Sequence, residues 1–111
     1  MMDIRYGGNP ADVGTASNAR LRADYLVEGA FAPGALRLTY THIDRMIVGG
    51  AVPLDAPLTL SDGADLGTAH FFSDREGGLA NLGGAGRVTV DGVSHALANH
   101  DVLYIGRGAR A

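Results

Sequence analysis

"NLGGAGRVTVDGVSHAL", Asn81 to Leu97, decides how this chain folds. Gly83, Gly84 and Gly86 with Arg87 behind them invite comparison with a phosphate-cradling loop. Such a loop works by leading into a helix N-terminus, whose free N–H groups face the anion. A Walker-type loop also needs Gly-Lys-Ser/Thr, whereas Gly86 is followed by Arg87 and Val88. From there the sequence alternates with period two. Val88 and Val90 share one face, and Thr89 and Asp91 share the other. Asp91-Gly92 is a strong hairpin signal, because a type I′ turn needs positive φ at both central residues. The predicted register sets Val90 opposite Val93 and Val88 opposite His95. The glycines therefore read as a turn or bulge ahead of a strand.

The same punctuation extends in both directions. "ALRLTYT" (35–41) alternates, with Leu36, Leu38 and Tyr40 on one face. "RMIVGGAVPL" (45–54) is apolar and β-branched, and Gly49-Gly50 marks a bulge or a close backbone approach. "YLVEGAF" (25–31), a short stretch within 56–67, "AHFFSD" (69–74) and "DVLYI" (101–105) complete the strand candidates, with an Asp62-Gly63 turn among them. Strands every eight to twelve residues predict an all-β sandwich or barrel. Thr15–Leu26 is the helix candidate, with Thr15 or Ser17 as its cap and Leu21 and Tyr25 at i, i+4. Residues 1–14 read as an extended lead-in, and 15–111 as one β domain.

Composition narrows the function. The chain has 111 residues, a formal charge of −3, 46% hydrophobic and 19% charged residues. One soluble domain is expected. No basic footprint for nucleic acid or an anionic membrane is visible, and no apolar run of membrane-spanning length occurs. Without cysteine there is no disulfide, thiolate zinc site or cysteine nucleophile. All nine basic residues are arginine, which excludes a Schiff-base lysine.

"LGGAGRVTVDGVSHALANHDVLYIGRG" (82–108) resembles the central part of a cupin. The expected fold class is thus a cupin-like double-sheet β-barrel, a jelly roll, with one short N-terminal helix and room for an incomplete C-terminal edge. Many cupins hold a metal through His-x-His, a following Glu and a later His. Counted from Gly84, those places fall on His70, Phe72, Gly77 and Ala111, with Glu76 one residue out of register. One slip turns a strand residue to the opposite face, so no metal is expected in this chain. A residual site using His70 and Glu76 is the alternative.

"DYLVEGAF", "LTYTHIDRMIVGGAVPL", "NLGGAGRVTVDG" and "DVLYIGRGAR" together resemble the N-terminal part of the 5-keto-4-deoxyuronate isomerases, also named 4-deoxy-L-threo-5-hexosulose-uronate ketol-isomerases. "THIDRMIVGG" is the most specific piece. The resemblance implies a cytoplasmic, hexameric two-cupin enzyme of pectin and uronate breakdown. Its zinc is held by three histidines and one glutamate of the C-terminal cupin, and no residue of that set lies in this sequence. The expectation is a metal-free N-terminal cupin portion of a ketol-isomerase, inactive by itself. The alternative is a free-standing small cupin that binds a sugar acid without catalysis. The sequence stops where a cupin continues into closing strands, so an open edge is expected, and another copy could pair with it.

His42, Asp44 and Arg45 are the candidate substrate-binding residues. On a regular strand, His42 and Asp44 would share a face and contact a sugar acid, with Arg45 near its carboxylate. The competing reading is a bend or subunit contact. His95 is expected to face the barrel interior and His100 to sit exposed at a turn. Tyr40 and Tyr104 are expected at an amphipathic core edge, and Arg107 and Arg110 either near an anion or on a solvated loop. No catalytic residue is assigned.

Overall fold

The computed structural model describes residues 2–60 and 63–111. Two compact units are present, Met1–Thr59 and Leu60–Ala111. The Asp62-Gly63 turn expected from the sequence lies outside the described residues.

In the first unit, β1 (Asp3–Arg5), β2 (Leu36–Thr41) and β3 (Met46–Ala51) form a three-stranded sheet in the order β1-β2-β3. β2 and β3 pair antiparallel without interruption from Leu36↔Ala51 to Thr41↔Met46. Gly49-Gly50 is therefore a close approach and not a bulge. A Cβ on Gly49 would lie 2.3 Å from the Arg37 carbonyl oxygen, and one on Gly50 would lie 2.6 Å from that of Ala30. β1 joins β2 in parallel, with Ile4 opposite Tyr40.

The lead-in also contains a helical turn, α1 (Pro10–Val13), with Asn9 capping it through Ala11 N. Pro10 suits a first helical position, where its missing N–H costs nothing. α2 (Asn18–Tyr25) falls inside the predicted helix and is capped by Ser17, whose side chain accepts from Arg20 N at 3.1 Å. Arg20 and Asp24 pair one turn apart at 2.6 Å. No residue of α2 is buried. Its C-terminal end is closed instead by Arg5, whose Nη1 donates to the carbonyls of Ala23 and of Leu26, the latter at 3.0 Å.

In the second unit, β4 (Gly77–Ala80) pairs with β7 (Val102–Ile105), and β5 (Gly86–Val90) with β6 (Val93–Leu97). The β5–β6 register is Val88↔His95 and Val90↔Val93. Asp91 and Gly92 have φ of 48° and 80°, as a type I′ turn requires. Val88, Val90 and His95 are half-buried while Thr89 is exposed.

The described residues are thus organised mainly in strands, with few helices. The closed barrel expected from the sequence is not found among them. They form one three-stranded sheet and two separate two-stranded ribbons. Three strand candidates are corrected; within 56–67 the described residues hold no strand, and Ala64–Leu66 form a 3-10 turn. "AHFFSD" is a run of bends and turns, because Thr68 Oγ1 donates to His70 O and Ser73 Oγ accepts from His70 N. Local side-chain bonds of this kind compete with a sheet ladder. Residues 26–31 make no strand either, and Arg37 Nη1 instead donates to Gly29 O at 3.0 Å.

The core is thin. Met2, Leu97 and Thr39 are the buried side chains among the described residues, and Val102, Tyr104, Leu54 and Leu82 are each at least 65% exposed. The chain exposes 7866 Å², whereas even two separate compact domains of half its mass would expose only about 7,000 Å².

Candidate functional site

The "THIDR" segment is a turn. His42 to Arg45 connect β2 to β3, so His42 and Asp44 do not share a strand face. This corrects the regular-strand expectation and favours the bend. Asp44 and Arg45 both have positive φ, 55° and 52°. For residues with a Cβ, the left-handed conformation costs roughly 1–2 kcal/mol each. Thr41 Oγ1 accepts from Ile43 N at 3.1 Å and steadies the entry to the turn.

His42 is held from a distant part of the sequence. Its backbone N donates to Arg5 O at 3.0 Å, and its Nδ1 lies 2.9 Å from the same oxygen. The ring stacks on Tyr6 with centroids 4.4 Å apart and planes 15° apart. The Tyr40 ring meets it edge-on at 5.0 Å. Arg5 therefore serves three elements: β1 by its backbone, α2 by its guanidinium and the turn by its carbonyl.

Asp44 faces elsewhere. Together with Arg5, Asp24, Tyr25, Ile43 and Met46 it lines a cleft of about 280 Å³, in which His42 and Arg45 take no part. Asp24 is occupied by Arg20 and Arg5 by helix carbonyls. Two carboxylates with no uncommitted guanidinium suit an anionic ligand badly. The three candidate residues are neighbours in sequence but do not converge on one site.

In the second unit, Asn81 is a hub absent from the candidate residues that the sequence suggests. Its Nδ2 donates to the carbonyls of Gly84, Leu97 and Ala98, at 2.9, 3.1 and 3.2 Å. Its Oδ1 accepts from Gly83 N at 3.0 Å. Asn99 adds a bond to Gly83 O at 2.7 Å. The glycine loop is thus closed on itself by amide side chains. An Asn two residues before a glycine run, able to bond the backbone at the first glycine, is the signal that marks it.

Glu76 accepts the Tyr104 hydroxyl hydrogen bond at 2.5 Å, and this contact pushes the phenol above its ordinary value. The Asp91 carboxylate accepts from the amides of Arg110 and Ala111, at 2.8 and 2.9 Å. Those two bonds hold its pKa below the ordinary carboxylate value. Arg107 reaches Ser73 O at 3.4 Å and Asp74 at 4.0 Å. His100 is exposed with φ of 70°, and Tyr104 is exposed.

Among the described residues, no three or more His, Cys, Asp or Glu side chains are grouped so as to hold a metal ion. Glu76 is engaged by Tyr104. Among the described residues, no helix is long and apolar enough to cross a membrane.

Fold and site together define a strand-rich chain with two hairpins and a locked histidine turn. Its sequence is more specific. The chain is similar to the 4-deoxy-L-threo-5-hexosulose-uronate ketol-isomerases. It is 44% identical over 109 residues to that enzyme of Halalkalibacterium halodurans, which covers 98% of this chain and 40% of the relative. With that of Burkholderia cenocepacia the identity is 46% over 111 residues, again 98% and 40%. With that of Pectobacterium carotovorum it is 38% over 112 residues, 99% and 40%. The chain thus spans about two fifths of the length of the curated relatives it matches. No protein-family model matches it.

Proposed function

We propose that this chain is a non-catalytic, structural portion of a ketol-isomerase acting on 4-deoxy-L-threo-5-hexosulose-uronate. The complete enzyme interconverts 5-keto-4-deoxyuronate and 3-deoxy-D-glycero-2,5-hexodiulosonate in uronate breakdown. One observation carries this reading: identity of 38–46% along almost the whole chain, over only two fifths of each relative. The cupin-like jelly roll, the cytoplasmic setting and the homo-oligomer implied by the resemblance belong to the same reading.

The chemistry supports a partial role. Moving a carbonyl to the neighbouring carbon requires an acidified C–H, a stabilised enediolate and a proton shuttle. A Lewis acid supplies several kcal/mol of that stabilisation, and a positioned base roughly 10²–10⁴-fold in rate. The ligand set for such a metal belongs, on this reading, to the part of the relatives that the chain does not match. The thin core and exposed Val102, Tyr104 and Leu82 fit a portion that buries more surface in a larger assembly.

A chimera tests the proposal. The matched segment of the Burkholderia cenocepacia relative is replaced by this chain, and turnover of the keto-deoxyuronate is measured with zinc present. The chimera is expected to turn over substrate and the isolated chain is not. Zinc-dependent turnover by the isolated chain would overturn the structural role. A folded but inactive chimera would overturn the isomerase reading.

A further inference from the structure

Resting on the sugar-acid reading, we propose that His42 and Tyr6 form a subsite for the hydroxylated carbon chain of the ligand. His42 Nε2 accepts a hydrogen bond from a ligand hydroxyl, and the exposed Tyr6 ring takes a C–H face. Arg5 sets the tautomer. A carbonyl oxygen only accepts, so Nδ1 at 2.9 Å from Arg5 O must carry the proton. In the neutral imidazole that leaves the lone pair on Nε2. Among the described residues Nε2 has no hydrogen-bond partner, and the side chain is exposed.

The ring is also fixed in orientation. Stacking on Tyr6 and the edge of Tyr40 leave it one pose, and a ring flip would break the bond to Arg5. A phenyl ring would serve the stacking equally well, and the backbone N of residue 42 already ties the turn to Arg5 O at 3.0 Å. The unexplained feature of a histidine here is its outward acceptor. Tyr6, 64% exposed, lies over the His42 ring and supplies the aromatic face. An aromatic face with one fixed acceptor at its rim suits a polyol, whose C–H groups cover the ring while a hydroxyl donates. The neighbouring cleft carries the carboxylates of Asp24 and Asp44, so the subsite reads the uncharged part of a sugar acid and gains nothing from its carboxylate.

The test uses the 111-residue chain labelled with ¹⁵N. Long-range ¹H–¹⁵N spectra at mildly alkaline pH are expected to show His42 protonated on Nδ1. D-galactose and D-galacturonate, titrated separately, are each expected to shift His42 Nε2 and the Tyr6 ring with similar affinity. His42→Phe, which keeps the stack and removes the acceptor, is expected to weaken both about three- to tenfold, the worth of one hydrogen bond. An Nε2-protonated ring, silence of His42 and Tyr6, binding of galacturonate without galactose, or undiminished binding by His42→Phe overturns the subsite. The tautomer and shift readouts need no variant, so they decide even if His42→Phe misfolds. A chimera that turns over substrate while His42 stays silent sinks the subsite alone. A His42 response beside an inactive, folded chimera sinks the isomerase reading alone.

Discussion

Gly49→Ala isolates the close approach of β2 and β3. An added Cβ would stand 2.3 Å from the Arg37 carbonyl oxygen and 2.7 Å from Leu38 Cδ2. Ordinary contact is about 3.4 Å or more, so the overlap with backbone is on the order of 1 Å. Leu38 can rotate away, but the Arg37 carbonyl is fixed in the ladder that runs from Leu36 to Thr41. Overpacking of this kind costs about 1–3 kcal/mol. Against it stands a gain of about 0.4–1 kcal/mol from the less flexible unfolded chain. Central values give a net loss of about 1.3 kcal/mol, and with a urea m-value of about 2 kcal/mol/M the midpoint falls by about 0.6 M. Gly78→Ala is the control, since Gly78 also lies in a strand and its added Cβ meets nothing within 4 Å. The measurement is urea unfolding followed by circular dichroism for both variants. An unchanged midpoint for Gly49→Ala would refute the steric argument.

Asn81→Ala removes the Nδ2 contacts to three carbonyls, which its two N–H groups share, and one accepted bond from the glycine loop. A loss of about 1–3 kcal/mol is expected, together with faster amide exchange at Gly83. Asp91 is held below its ordinary value of 3.8 by the Arg110 and Ala111 amides. Its contribution to stability is therefore present above the unfolded value and is lost as pH falls through the lower folded one. Asp91→Asn should flatten that acid limb of the denaturation profile, whereas an unchanged limb would contradict the clasp. The Tyr104 phenol is raised by its bond to Glu76, so its phenolate should form late in an alkaline absorbance titration. Glu76→Gln should bring that transition to lower pH. The Tyr104–Glu76 contribution is present below the unfolded value and lost as pH rises through the folded one.

The β5–β6 hairpin is readable from sequence because its determinants are local. Asp91-Gly92 supplies the positive φ values, and alternation of Val88 and Val90 fixes the register. The resemblance to the ketol-isomerases is readable from four motifs, and two such relatives are 44% and 46% identical over 98% of the chain. β4 is silent in the sequence because Gly77 and Gly78 carry little strand propensity. It becomes a strand through its pairing partner β7, and pairing context regularly outweighs propensity. "AHFFSD" departs in the opposite direction, since its neighbouring hydroxyls at Thr68 and Ser73 capture backbone groups locally. At the candidate site, His42 stands out as a polar interruption between apolar strands. What fixes it, Arg5 O, lies 37 residues earlier, and no periodicity connects positions that far apart. The divergence of Asp44 from His42 follows from positive φ at Asp44 and Arg45, where no glycine announces it.

Arg5 also has a dynamic consequence. α2 has only eight residues, and helices that short are marginal in water unless anchored. The same residue anchors the helix end and the His42 turn, so neither can open while β1 stays docked. Amides of α2 and of residues 42–45 should therefore exchange as one cooperative unit with a shared opening free energy. A ligand that braces His42 would slow exchange at the far end of the helix without touching it.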